Sequence, residues 1–278
     1  MVHALKWHPM NPRRNLVSDS LLVQETINIL RVCGGSAPAT VIADNVLKLP
    51  DLESDLATLL IADLIKDDHR LRLSDGLLVE LVCEDVEARL LHEADFVVVD
   101  VETTGAKMPP SRVMEIGAYR VSQGRIVAEF QTLVNPQMAI PPFISNLTGI
   151  TDEMVMDAPV FAEVAADWLD FAGEAVLVGH DSAFDVRFLN HEIARVFPGS
   201  RMINTHLCTV RMARRVLPGL LNYRLHTIAE HFAIQLTNHH RAAEDARATA
   251  EIFIRILERL HEHGVRDVGQ ARLFKIGT

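Results

Sequence analysis

Three short stretches hold the residues best suited to chemistry. Asp100-Val101-Glu102-Thr103-Thr104-Gly105 follows the apolar run Phe96 to Val99. Side chains alternate along a strand, so Asp100 and Glu102 share one face, about 7 Å apart along the chain. Two carboxylates so placed form a claw for a hard cation, and a sheet of Val and Phe would not bury them without a positive partner. The pair also fits a strand end emerging into solvent. Gly179-His180-Asp181-Ser182-Ala183-Phe184-Asp185 comes directly after the apolar run Ala175 to Val178. It lies where a strand of an open α/β sheet gives way to a helix, the place where such folds keep their sites. His239-His240-Arg241-Ala242-Ala243-Glu244-Asp245 opens a long helix with an apolar face through Ile252, Ile254 and Leu257. His240 in the lead-in and Asp245 in the first turns could reach one point in space, although an aspartate near a helix N-terminus is also stable with no ligand.

Together with Glu115-Ile116-Gly117-Ala118 and Leu147-Thr148-Gly149-Ile150-Thr151, these stretches resemble, in order and spacing, the DEDDh (DnaQ-like) exonucleases. That group contains the proofreading epsilon subunit of DNA polymerase III, and the resemblance runs from about Asp95 to Leu260. It implies a 3′-to-5′ exonuclease whose active centre is Asp100, Glu102, Asp185, His240 and Asp245. It also implies two divalent cations, Mg²⁺ or Mn²⁺, about 3.5 to 4 Å apart, a spacing that stabilises both the attacking and the leaving oxygens of an in-line displacement. Asp100, Glu102 and Asp245 would hold the ion that activates water. Glu102 would bridge to the second ion, which Asp100 shares and Asp185 helps hold, largely through water. His240 would take the proton of the attacking water, a transfer suited to a neutral imidazole near neutral pH.

The same resemblance implies that Thr103, Thr104 and Gly105 line the terminal nucleotide, that Phe184 packs beneath the site, and that the product is a nucleoside 5′-monophosphate. One position departs from the family, which commonly has Asn where this chain has Asp181. The extra acid either perturbs the site or faces outward. His180, His226, His231 and His239 are expected to cap or pack. Single-stranded DNA 3′ ends, met in proofreading or repair, are the expected substrate. An RNA-trimming enzyme of the same group and a catalytically silent nucleic-acid or scaffold module are the alternatives, and no residue can be assigned to reading a 2′-hydroxyl.

The whole chain must carry these residues in the right order. At 278 residues, 49% hydrophobic and 23% charged, it is long enough for two cored domains and ordinary for a globular protein. Neither a membrane span of about 20 apolar residues nor the apolar core of a signal peptide is visible, so a cytoplasmic location is expected. Cys33, Cys83 and Cys208 are odd in number and far apart, which argues against a disulfide framework or a CxxC zinc site. A net charge of −10 argues against holding nucleic acid by charge alone, yet cations on carboxylates would reverse the local field.

The expected fold is α/β, a ribonuclease H-like mixed five-stranded sheet flanked by helices, preceded by a small winged-helix-like α+β domain. Residues 1–17 read as a loose arm. Residues 18–83 read as three helices and a hairpin. The first helix follows Ser18-Asp19-Ser20 and carries Leu22, Ile27, Ile29, Leu30 and Val32. The second spans Ala39 to Leu47 and ends before Pro50. The third spans Asp51 to Lys66, is capped by Asp51, and has Leu56, Leu59, Leu60 and Leu64 on its stripe. A hairpin turns at Ser74-Asp75-Gly76.

Residues 84–95 read as an acidic helical connector and 96–265 as the exonuclease domain. There, strands at 96–101, 113–121 and 125–134 form a meander joined by two further strands, at 175–178 and near 202–204. Helices are expected at 160–171, after Ser182, and at 207–215, 221–232 and 241–262. Residues 1–95 hold 9 Lys and Arg against 16 Asp and Glu, so the winged helix is read as a module for a protein partner or for structure rather than for DNA. In the tail, 266–278, Gln270, Leu273 and Phe274 resemble the motif that binds bacterial sliding clamps. The same segment also reads as a terminus folded back through Leu273 and Phe274.

Overall fold

The computed structural model describes residues 15–74, 77–82, 86–236 and 240–274. The chain separates into two compact units, 1–84 with 199–203, and 85–198 with 204–278.

In the first unit the order is β1 (Leu16–Ser18), α1 (Leu21–Val32), β2 (Ser36–Pro38), α2 (Ala39–Leu47), α3 (Ser54–Ile65), β3 (Leu71–Ser74) and β4 (Leu78–Leu81). The hairpin β3–β4 takes β2 on its other edge, giving the order β2-β4-β3, and β1 pairs antiparallel with Ser200–Met202. The buried face of α1 is Val23, Thr26, Ile27 and Leu30 with Ile29 packed against the same core, whereas Leu22 and Val32 of the expected stripe face solvent. In α3 the structure corrects the sequence reading more sharply. Asp51 adopts a positive φ outside the helix, which starts three residues later. The core side of α3 is Ala57, Ile61 and Ile65 with Leu64 of the expected stripe packed beside them, and Leu56, Leu59 and Leu60 are exposed. The residues 75 and 76 of the expected turn lie outside the described residues, as do Cys83 and residues 1–14 of the expected arm.

The second unit begins, among the described residues, with a 3₁₀ turn at Val86–Ala88 rather than the expected connector helix. Leu90 bridges to Asp267, and Leu91 packs on the main core, so this stretch is part of the unit's body. Then come β5 (Phe96–Thr103), β6 (Val113–Ser122), β7 (Arg125–Leu133), α4 (Pro142–Thr148), α5 (Asp152–Met156), α6 (Phe161–Ala172), β8 (Val176–Gly179) and α7 (Ser182–Val196). After β9 (Ser200–Met202), the partner of β1, follow β10 (His206–Cys208), α8 (Thr209–Val216), α9 (Leu225–His231), α10 (Ala242–Glu262) and α11 (Val268–Leu273).

The five strands of the main sheet lie in the order β10-β8-β5-β6-β7. β6 is antiparallel to each of its neighbours, β5 and β7, while β8 runs parallel to β5 and β10 parallel to β8. The fifth strand is therefore β10 at 206–208. The expected strand near 202–204 ends at Met202 and belongs to the other unit's pairing with β1. Both runs are short, and three-residue strands carry too little periodicity to separate.

β5 and β8 are buried along almost their whole length, which explains why they read as continuous apolar runs rather than alternating ones. α8, α9 and α10 close one core through Met212, Ile228, Ile252, Phe253 and Ile256 against Phe96, Val98 and Val178. Phe96 and Phe253 meet edge to face, 4.8 Å between centroids, an arrangement that adds about 0.5 to 1.5 kcal/mol to the area they bury. Among the described residues no helix is long and apolar enough to cross a membrane.

Candidate active site

Directly opposed residues of an antiparallel pair lie on one face of the sheet. Asp100 of β5 is opposite Gly117 of β6, and Glu102 is opposite Glu115. The N-terminus of α10 comes down on this face. Its approach is so close that a Cβ on Gly117 would lie 2.3 Å from the carbonyl carbon of Ala242. Only glycine leaves room for backbone against backbone there.

Glu115 fixes the approach. Fully buried, it accepts hydrogen bonds from the Arg241 guanidinium at 2.8 and 3.2 Å and from the Ala242 N–H at 3.0 Å. It thus neutralises Arg241 and satisfies one of the free N–H groups that open a helix. With the helix start pinned, His240 and Asp245 are brought to β5. The His240 backbone turns through φ 69° and its N–H donates to Asp245 Oδ2 at 3.1 Å. Ligand atoms of Glu102, His240 and Asp245 all lie within 4.8 Å of one another.

Asp185 arrives from the other side, in the first turn of α7. It is buried, and a Cβ on Gly179 would stand 2.6 Å from its Oδ2. Glycine at the end of β8 therefore leaves the space the carboxylate occupies. α7 is tied to the start of β6 by Glu192, which accepts from Arg112 at 2.6 and 2.9 Å and from the Val113 N–H at 3.2 Å. Asp181 precedes the helix at φ 98° and is exposed, so the acid at this departure from the family pattern faces outward. It still acts on the site, because its charge helps raise Asp185.

The carboxylates are electrostatically frustrated. Burial pushes Asp100 well above the ordinary aspartate range, and the charges of Asp185, Glu102, Asp245 and Glu115 add to the effect. Burial, then Asp245 and Glu115, push Glu102 up to about 7, against a smaller opposing pull from Arg241. Burial pushes Asp185 up to about 8, opposed by a backbone hydrogen bond with Val101. Arg241 is committed to Glu115. Such a set of buried oxygen donors fits hard divalent cations such as Mg²⁺ or Mn²⁺, whose charge would relieve the repulsion.

The threonine loop is braced by its own hydroxyls. Thr103 Oγ1 donates to the Gly105 carbonyl at 2.9 Å, and Thr104 Oγ1 accepts from the Arg112 N–H at 3.0 Å. Both hydroxyls hold the loop together. Phe184 packs on Phe188, 4.7 Å between centroids. His180 lies between Thr209 Oγ1 at 2.9 Å and the Tyr223 carbonyl at 3.1 Å, a packing role, and His239 lies outside the described residues. Sequence reasoning gave no role to Glu115, Gly117, Arg241, Arg112 or Glu192. The signal was present in Glu115, an acid inside the apolar run of β6 that had to find a cation.

Fold and site together place the chain in the ribonuclease H-like class, with a cluster of acids whose chemistry suits divalent cations. The RNase_T exonuclease family model matches residues 97–253, and the chain belongs to that family. A DNA polymerase III subunit epsilon of Aquifex aeolicus is 42% identical over 178 residues, covering 64% of this chain and 88% of that protein. A PolC-type DNA polymerase III of Caldanaerobacter subterraneus is 45% identical over 198 residues, 71% of this chain but 14% of that much longer protein. Escherichia coli exonuclease I in complex with a dT13 oligonucleotide shares the fold at 18% identity and a TM-score of 0.54, over 62% of this chain and 43% of that one.

Proposed function

We propose that this protein is a 3′-to-5′ exonuclease that hydrolyses single-stranded DNA ends to nucleoside 5′-monophosphates in proofreading or repair. The observation that carries the reading is the convergence of Asp100, Glu102, Asp185 and Asp245, with His240 beside them, while the nearby Arg241 is paired with Glu115. Divalent cations held by the four carboxylates would supply Lewis-acid stabilisation of the transferring phosphoryl group. The chain's own residues do the rest. His240, held at φ 69° beside Asp245, takes the proton from the attacking water. Glu115 and Arg241 keep that histidine in register with β5, and the Thr103–Gly105 turn gives the 3′-terminal nucleotide a rigid wall. The names of the epsilon and PolC-type relatives favour DNA.

Docking on a bacterial sliding clamp through Gln270, Leu273 and Phe274 belongs to the same proposal, and so does a cytoplasmic place of work. The clamp contact requires the last turn of α11 to unwind. Gln270 Oε1 accepts from the Arg266 N–H at 2.9 Å and Phe274 packs on the core, while Leu273 is exposed. Labelled single strands of DNA and of RNA, incubated with Mg²⁺, Mn²⁺ or a chelator and resolved on a gel, test the central reading. Stepwise shortening of DNA from its 3′ end in the metal lanes is expected; preferential loss of RNA, or no loss of either, would displace it. Titration of a purified clamp with the chain and its Leu273→Ala, Phe274→Ala double variant tests the tail, and equal binding by both would remove the clamp.

A further inference from the structure

The first unit carries an apolar surface that its own fold does not use. α3 is held in its core by Ala57, Ile61 and Ile65. On the outward side, Leu56, Leu59 and Leu60 are 47%, 67% and 37% exposed. Their spacing, i, i+3 and i+4, puts them on one stripe of the helix surface. Scattered exposed leucines are ordinary, but a contiguous helical stripe marks a docking surface. A groove of about 350 Å³ opens at the start of the same helix, lined by Pro38, Ala39, Thr40, Ser54, Leu77 and Leu78, of which Leu77 is half exposed.

The charges around the stripe identify the partner's chemistry. Asp51, Glu53, Asp55, Asp63 and Asp67 are all exposed on α3 or just beyond its ends. Lys66 is also exposed but is paired with Asp63 at 2.8 Å. Duplex DNA is repelled by this rim, and a second copy of the face would bring like charges together. We infer that the outer face of α3, with Leu56, Leu59 and Leu60 at its centre, docks a protein partner whose contact element is a basic amphipathic helix. The partner's apolar side covers the leucines and its Lys or Arg side chains meet Asp55 and Asp63, the helix-in-groove mode of recognition.

The probe is a labelled 14-residue helical peptide of Leu and Lys with one apolar face, compared with its Leu and Glu counterpart and read by fluorescence anisotropy on the full chain. The Lys peptide is expected to bind and the Glu peptide to fail. Leu56→Ser with Leu59→Ser should weaken binding by at least about tenfold, as truncated interface anchors do, and Asp55→Lys with Asp63→Lys should do the same. Far-UV circular dichroism and nuclease rate should be unchanged in both variants, since none of these residues is in the active site. Equal binding of the Lys peptide by the leucine variant would reduce the effect to bulk charge and overturn the inference. So would binding of a labelled 20-base-pair duplex to the full chain that the leucine variant weakens, or a dimer in sedimentation that the leucine variant abolishes.

Discussion

Asp100 is the residue at which the site's repulsions add, since Asp185, Glu102 and Asp245 all raise it. Asp100→Ala and Asp245→Ala are expected to abolish metal-dependent hydrolysis while the fold survives, read by gel assay and circular dichroism. The raised carboxylates also set a pH signature. In the unfolded chain these acids lose their protons near pH 4, whereas in the fold Glu102 holds its proton to about 7 and Asp185 to about 8. Between those limits the native state binds more protons than the unfolded one, so stability falls as pH rises across that window. The thermal midpoint of the metal-free protein should therefore drop from pH 5 to pH 8, and Mn²⁺ should flatten the slope while releasing protons as it binds. A metal-free midpoint that climbs over this range would contradict the buried-acid description. His240→Ala is expected to lower turnover by about 10²- to 10⁴-fold with cation binding largely kept, as measured by kinetics alongside calorimetry.

At the scale of elements, the site depends on where α10 begins. Replacing Glu115 by Ala frees the Ala242 N–H and the Arg241 guanidinium together. Arg241 is about a third exposed, so the loss should be about 2 kcal/mol, below the about 3 to 5 kcal/mol of a fully buried pair. Urea unfolding measures it, and turnover should fall with it because His240 is adjacent. Gly117→Ala should act through sterics instead, shifting the same helix end; wild-type turnover in that variant would show that the close approach is not needed. The acids and the histidine were legible because each ends a strong apolar strand or opens a long amphipathic helix. Glu115 and Gly117 appeared in the sequence only as parts of a family match, since their meaning arises from a helix 126 residues away for the Glu115–Arg241 pair. β10 was misplaced because three residues carry no usable period. Of the α3 leucines, Leu64 packs on the core beside Ala57, Ile61 and Ile65, whereas Leu56, Leu59 and Leu60 do not, because helical spacing alone does not tell which of two apolar stripes faces inward.

For the whole molecule, the division of labour follows from which unit holds which residue. All five site residues, and the Glu115 and Glu192 anchors behind them, lie in the unit formed by 85–198 and 204–278. A chain beginning at Val86 should therefore degrade single-stranded DNA at close to the full chain's rate and with the same dependence on salt. It should melt lower, because Ser200–Met202 loses its pairing with β1. Starting instead at Asp95 should do further harm. That cut removes Val86 and Leu91 from the core, and with them the hydrogen bond from the Leu91 N–H to the Arg266 carbonyl at 2.8 Å. Melting curves and salt-titrated rates on the three chains separate the contributions. If the chain from Val86 bound single strands much more weakly and with a shallower salt slope, phosphate contacts would have to be assigned to the first unit despite its acidity, since each lost contact reduces that slope by about one.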